Sequence, residues 1–163
     1  MPEAVTRQVD LLTRRIRQLE AVDAARFLLA RYGSACDRCD LEAVSAMFRD
    51  DGCVEAGGRT WVGRDSVSSF FREAWTADPS RKTHFIVGVV AGELAGDCLA
   101  VSSTFLYTAA GAGSSVLGWG EYHDIVDFSQ PTAVFRTKSV DLRSAGDLRQ
   151  VWAADGLRAE RAL

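Results

Sequence analysis

The chain is poor in the residues that most often advertise a chemistry. Of its 163 residues only two are histidines, His84 and His123, so histidine-dependent chemistry has two places to reside. There are four cysteines, and only Cys36 and Cys39 form a C-x-x-C pair. A tetrahedral structural zinc takes four ligands, and no second pair or Cys/His set stands at ligand spacing. The two are therefore read as small apolar residues sharing one helix face, and no metal site is expected. Acidic residues outnumber basic ones by 22 to 19. The basic stripe that marks a nucleic-acid partner is missing, so no such partner is expected. No apolar run approaches the roughly 18 residues of a membrane-spanning helix, which argues against a membrane partner. Met1-Pro2-Glu3-Ala4 opens no apolar signal region, so the cytoplasm is the expected location. Gly111-Ala112-Gly113 lies between two strand patterns and reads as a hairpin turn, not a phosphate-cradling loop.

What is present is an ordinary globular balance, 47% hydrophobic and 25% charged, in one expected domain over 1–150 followed by a short charged tail over 151–163. Val5, Val9, Leu12, Ile16 and Leu19 form an apolar seam at helical spacing, able to pack on the chain's own domain or on another subunit. A second helix is expected from Ala21 to Asp37, with Ala25, Leu28, Leu29, Tyr32 and Cys36 inward. Asp40 then caps a short helix, Leu41 to Phe48. Asp50-Asp51-Gly52 and Gly57-Gly58 read as turns bounding a strand, Cys53 to Ala56, that pairs near Trp61. A further helix follows Gly63, with Val67, Phe70, Phe71 and Ala74 at core spacing. Four strands complete the chain: Thr83–Val90, Cys98–Thr108, Leu117–Phe128 and Val134–Leu142. Helices first and long antiparallel strands afterwards give an α+β fold: a cone-shaped, largely antiparallel curved sheet covered by three to four N-terminal helices.

A curved sheet closed by helices has a mouth. Trp61, Phe70, Trp75, Phe85, Phe105, Tyr107, Trp119 and Tyr122 supply a lining of the kind that ligand cavities use. His84 opens an otherwise apolar strand, where a neighbouring carboxylate would tune its imidazole into a general base. His123 and Glu121 fall on the strand face opposite Tyr122 and Asp124 and are read as surface. Arg136 and Lys138, alternating with Phe135 and Thr137, are read as a solvated face.

Four motifs occur in order: Tyr32-(x4)-Asp37-(x2)-Asp40; Phe48-Arg49-Asp50-Asp51-Gly52; Thr83-His84-Phe85; and Gly118-x-Gly120-x-Tyr122-x-Asp124. Together they resemble the SnoaL-like branch of the nuclear transport factor 2-like superfamily, over roughly Val5 to Arg143. The resemblance implies a cofactor-free acid–base site. It sets a working carboxylate at Asp37, a histidine at His84 and a tyrosine at Tyr32. It implies substrate contacts at Tyr122, Asp124 and Thr108, where Thr108 stands in for a further polar group of the dehydratases, and an arginine near Arg143. Trp61 and Phe85 join the substrate-binding set as cavity aromatics. Relatives also imply a homo-oligomer, dimer or trimer.

In such a site Asp37 orients His84, His84 takes a proton from carbon, and Tyr32 protonates the leaving oxygen or polarises a carbonyl. On an ideal helix Tyr32 and Asp37 lie about 140° apart, so spacing alone does not put both on one face. The expected activity is dehydration of a small, apolar, oxygenated ring compound. The alternatives are a polyketide-type cyclase or isomerase using the same residues, a non-catalytic binding or accessory module, and the small subunit of a ring dioxygenase.

Overall fold

Helix-patterned sequence to residue 77 and strand-patterned sequence from residue 81 become two layers. The computed structural model of the chain describes residues 2–111 and 114–148. The tip of the expected hairpin at Ala112-Gly113 and the expected tail over 151–163 lie outside the described residues.

The first helix, α1, runs unbroken over Pro2–Asp37. This corrects the expectation of two helices. From Glu3 to Tyr32 there is neither proline nor glycine, and a long spacing change in the apolar stripe is no helix breaker. Proline itself sits at the first helical position, where its missing N–H has no partner to lose. The helix ends in a left-handed residue, Cys39, at φ 50°. The Asp40 N–H donates to the Ala35 carbonyl and the Cys39 N–H to the Cys36 carbonyl, each at 3.0 Å. That is a Schellman motif built on a non-glycine residue, and it takes Cys39 off the helical face where Cys36 sits. Asp40 then caps α2 (Leu41–Ala46) by accepting the Ala43 N–H at 3.0 Å.

Phe48 was expected in α2 but opens β1 (Phe48–Ala56). Its partner across the sheet is Phe135, whose N–H donates to the Met47 carbonyl. Asp50-Asp51-Gly52 is therefore an irregularity inside a strand, where the register jumps between Phe48 and Cys53. Gly57 and Gly58, both at positive φ, turn β1 into β2 (Arg59–Val62), and Trp61 pairs with Val54 as expected. The remaining elements are α3 (Arg64–Ala77), β3 (Arg81–Ala95), β4 (Cys98–Gly111), β5 (Ser114–Asp127) and β6 (Val134–Asp147).

The six strands form one curved sheet in the order β2-β1-β6-β5-β4-β3, antiparallel except for the parallel β1–β6 pair. The α+β architecture expected from the sequence is the one observed, with three helices, among the described residues, over a largely antiparallel sheet. The later half of α1 and α3 cover the concave face, burying Leu28, Leu29, Val67 and Phe71 against Phe48 and Phe135. Each such side chain, fully buried, contributes about 1.5–3 kcal/mol. Two bulges bend β6: Arg136 is extra between Phe135 and Thr137, and Arg143 is extra between Leu142 and Ser144. Among the described residues no helix is long and apolar enough to cross a membrane.

Candidate active site

Strand parity decides which side chains enter the cone. On β4 the odd-numbered residues, including Phe105 and Tyr107, face inward, while on β3 Lys82, His84 and Ile86 do. His84 and Tyr107 are partners across the β3–β4 ladder, with ring centroids 5.8 Å apart. On β5, Gly118 and Gly120 share the inner face with Tyr122. A methyl group at Gly118 would overlap the Tyr107 ring, and one at Gly120 would come within 2.6 Å of Phe105. The two glycines therefore let both aromatic rings lie down across the neighbouring strand.

The result is a cavity of about 310 Å³ between α1, α3 and the sheet, near the lower end of small-molecule pockets. Its wall is aromatic: Phe70, Phe71 and Trp75 from α3, Phe105 and Tyr107 from β4, with Tyr32 and Tyr122 at its base. Tyr32 packs edge-on against Tyr122 at 5.9 Å. Asp78 and Lys82, paired at 2.7 Å, also line it.

The imidazole within this wall is that of His84. Its Nδ1 lies 2.6 Å from Asp37 Oδ1, and its backbone N–H donates to the same carboxylate at 3.0 and 3.2 Å. Three contacts from one residue to one carboxylate fix the ring's position and orientation. With Nδ1 committed to Asp37, Nε2 is the ring nitrogen left for the cavity. Asp37 itself does not line the cavity. The divergence of Tyr32 and Asp37 around α1 is thus accommodated without distorting the helix: Tyr32 reaches the cavity, and Asp37 reaches β3 behind it. Gly33 brings the two elements together, since a methyl group there would meet Ile86 Cδ1 at 3.3 Å and His84 Cβ at 3.7 Å.

Three phenols and a thiol at the cavity are held in their protonated, neutral forms, whereas the hydrogen bond from Lys82 holds the Asp78 carboxyl down at about 2, so that it is charged. Burial pushes the Tyr32 and Tyr122 phenols well above the ordinary range, and burial raises Tyr107 as well. All three are phenols available to donate. Burial likewise pushes the Cys36 thiol up to about 12, against the opposing effects of a Tyr32 hydrogen bond and Lys138. At neutral pH it is a thiol, so it packs and does not attack. Among the described residues no three histidine, cysteine or acidic side chains are grouped so as to hold a metal ion.

Several residues named from the sequence stand elsewhere. Phe85 follows His84 on the strand and so points to the opposite face, half exposed. Thr108 follows Tyr107 and is turned away for the same reason. Trp61 packs on Phe70 at 4.7 Å, one layer behind the wall. Trp119 is exposed between the two glycines. Arg143 sits at the second β6 bulge on the outer surface, paired with Glu121 and Asp141. His123 and Glu121 are on that surface too, as expected.

Asp124 is fully buried beneath the cavity and pairs with Lys138 at 3.0 Å. The expectation of a solvated Lys138 is overturned. The extra residue at Arg136 resets the alternation, so Phe135 and Lys138, three apart, face the same way. The ammonium lies 3.6 Å from the ring centre of Tyr122 and 4.3 Å from that of Tyr32. Burial pulls Lys138 down and pushes Asp124 up, while their mutual attraction opposes both. A cation held under two tyrosines fixes the base of the cavity. The only sequence signal for it was an unpaired parity break on β6, which alternation alone reads the other way.

Comparison with known proteins bears on the family and the fold. The model of the SnoaL-like domain family matches residues 17–129. No curated protein matches the sequence. Among solved structures, the chain is similar to a provisional scytalone dehydratase from Novosphingobium aromaticivorans, at TM-score 0.68 and 17% identity, over 85% of this chain and 91% of that one. It is similar to a hexachlorocyclohexane dehydrochlorinase (LinA) type 2, at TM-score 0.72 and 13% identity, over 82% and 93%. The β subunit of benzoate 1,2-dioxygenase from Burkholderia mallei aligns at TM-score 0.65 and 17% identity, over 73% and 88%. At these identities the structural likenesses speak to the fold alone, which hosts several chemistries. The family match, which spans most of the chain, goes further: this chain belongs to the SnoaL-like domain family.

Proposed function

We propose that the chain is a cofactor-independent lyase that removes water from a small, apolar, oxygenated ring compound. The observation that carries this reading is the 2.6 Å contact between His84 Nδ1 and Asp37 at an aromatic-walled cavity. Asp37 holds the imidazole in the tautomer whose Nε2 accepts, and stabilises the imidazolium once it forms. His84 Nε2 takes the proton from a ring carbon next to a carbonyl. The C–H electron pair moves into a new C=C bond as the C–O bond to the leaving hydroxyl breaks. A phenol donates its proton to that hydroxyl, which departs as water, and the imidazolium proton returns to the phenolate through solvent. Tyr32 is the proposed donor, and Tyr107, the phenol facing His84 across the ladder, is placed to polarise the carbonyl. The cavity size favours one or two fused rings, and its largely aromatic wall favours an apolar substrate. Elimination is also the type of reaction that the names of two similar proteins, a dehydratase and a dehydrochlorinase, denote.

The test is turnover of a panel of cyclic β-hydroxyketones, followed by absorbance of the conjugated enone. His84→Ala and Asp37→Asn are expected to fold as the wild type does and to lose about 10²–10⁴-fold in rate. Unchanged turnover in His84→Ala would refute the reading.

A further inference from the structure

The first five turns of α1 present a surface that this chain does not cover. Every side chain from Glu3 to Arg17 is exposed, and Val5, Val9, Leu12, Ile16 and Leu19 are each more than half exposed. The first contacts between α1 and the sheet are made by Arg17 with Asp97 and by Gln18 with Gly92 and Leu94. A helical stretch of this length is marginal in water on its own.

The direction of the seam excludes the chain's own domain as its cover. At 100° per residue, the seam centres roughly opposite the stripe of Ala21, Ala25, Leu28, Leu29 and Tyr32 that packs on the sheet. The seam therefore points away from the body that α1 belongs to.

We propose that this seam pairs with the same seam of a second copy, as a short parallel two-stranded coiled coil. The spacing of four, three, four and three is a heptad, with Val9 and Ile16 at a and Val5, Leu12 and Leu19 at d. β-Branched residues at a with leucine at d, as at Leu12 and Leu19 though not at Val5, are the combination that favours two parallel strands over three or four. In that register Arg15 takes a g position and Glu20 the following e position, five residues on, which is where parallel strands form their interhelical ion pair. Both side chains are exposed and, among the described residues, neither is paired within its own chain. The seam stops at Asp23, the next a position, where α1 has become part of its own domain. Because seam and sheet-facing stripe lie on opposite sides of the helix, the two bodies flank the pair without competing for it. With little more than two heptads, the dimer is reversible and concentration-dependent.

The test is sedimentation velocity of the full chain across a concentration series. The wild type is expected to move from monomer to dimer, and Ile16→Glu to remain monomeric with unchanged circular dichroism. Arg15→Glu and Glu20→Arg alone each place like charges across the seam and are expected to weaken the dimer about tenfold. The double variant, Arg15→Glu with Glu20→Arg, restores the pair and returns the dissociation constant to near the wild-type value. A wild type that stays monomeric, or forms trimers, overturns the proposal. So does a dimer indifferent to Ile16→Glu, which would use another surface such as the exposed sheet face at Phe85 and Val87. Failure of the double variant to rescue would overturn the parallel register.

Discussion

One helix does two different jobs along its length. The later half of α1 buries Leu28 and Leu29 on the sheet, and carries Tyr32 into the cavity and Asp37 to His84. The first half repeats apolar residues with the same period, yet leaves them in solvent. Both halves look alike to a periodicity count, because the period reports only that one side wants cover. What covers it depends on direction. The apolar stripe swings around the helix between Leu19 and Ala21, from away from the sheet to toward it. The half with local cover builds the site, and the half without it is free to meet another molecule.

The sharpest way to break this contrast is through the cation beneath Tyr32. Lys138→Met removes the partner of a fully buried carboxylate and leaves Asp124 uncompensated. The expected loss is about 3–5 kcal/mol in denaturant unfolding. Changing both residues to apolar ones of similar volume should recover much of it, since no lone charge remains.

Matched truncations in the two halves come next. Leu29→Ala opens a cavity in the core and should cost about 2–5 kcal/mol. Leu12→Ala, measured at protein concentrations too low for association, should change stability by no more than about 0.5 kcal/mol. Equal costs at the two leucines would mean that the first half is covered within the monomer.

A smaller effect of opposite sign is expected where α1 ends. Cys39 holds φ 50° without being glycine. Cys39→Gly should raise stability by about 1 kcal/mol, read as a higher melting temperature, because it relieves the left-handed strain that a Cβ suffers. The smallest effect belongs to the boundary between the halves. The Arg17–Asp97 pair is more than half exposed on both sides, so Asp97→Asn should shift stability by about 0–1 kcal/mol and less at high salt.

Much of this could be read from the sequence, and most of the failures share one cause. The cap at Asp40, the Gly57-Gly58 turn, α3 and the existence of the four long strands follow from local rules, but β3 runs on to Ala95 and β6 to Asp147, each five residues past the end read from the sequence. His84 and Asp37 stood out by residue type and by the family resemblance. The errors came from strand parity and from irregularities that reset it. His84 and Phe85 are neighbours on one strand, as are Tyr107 and Thr108, so only one of each pair can face the cavity. The inserted residue at Arg136 inverts everything after it on β6, which hid Lys138 as a surface residue. A bulge leaves little trace in composition, because the extra residue is stabilised by ladder geometry on both sides and not by its own preferences. The continuity of α1 was missed for a different reason: a change of apolar face was taken for a break.

The most direct test of the Asp37–His84 site asks only for its first chemical step. Wild-type protein incubated in D₂O with a small bicyclic aryl ketone should exchange the ketone's α-protons for deuterium well above the buffer rate, followed by ¹H NMR. His84→Ala should reduce exchange to the buffer rate, and Asp37→Asn should fall between the two. Exchange that persists undiminished in His84→Ala would show that the proton is taken elsewhere, and the account of this cavity as a histidine-based acid–base site would be wrong.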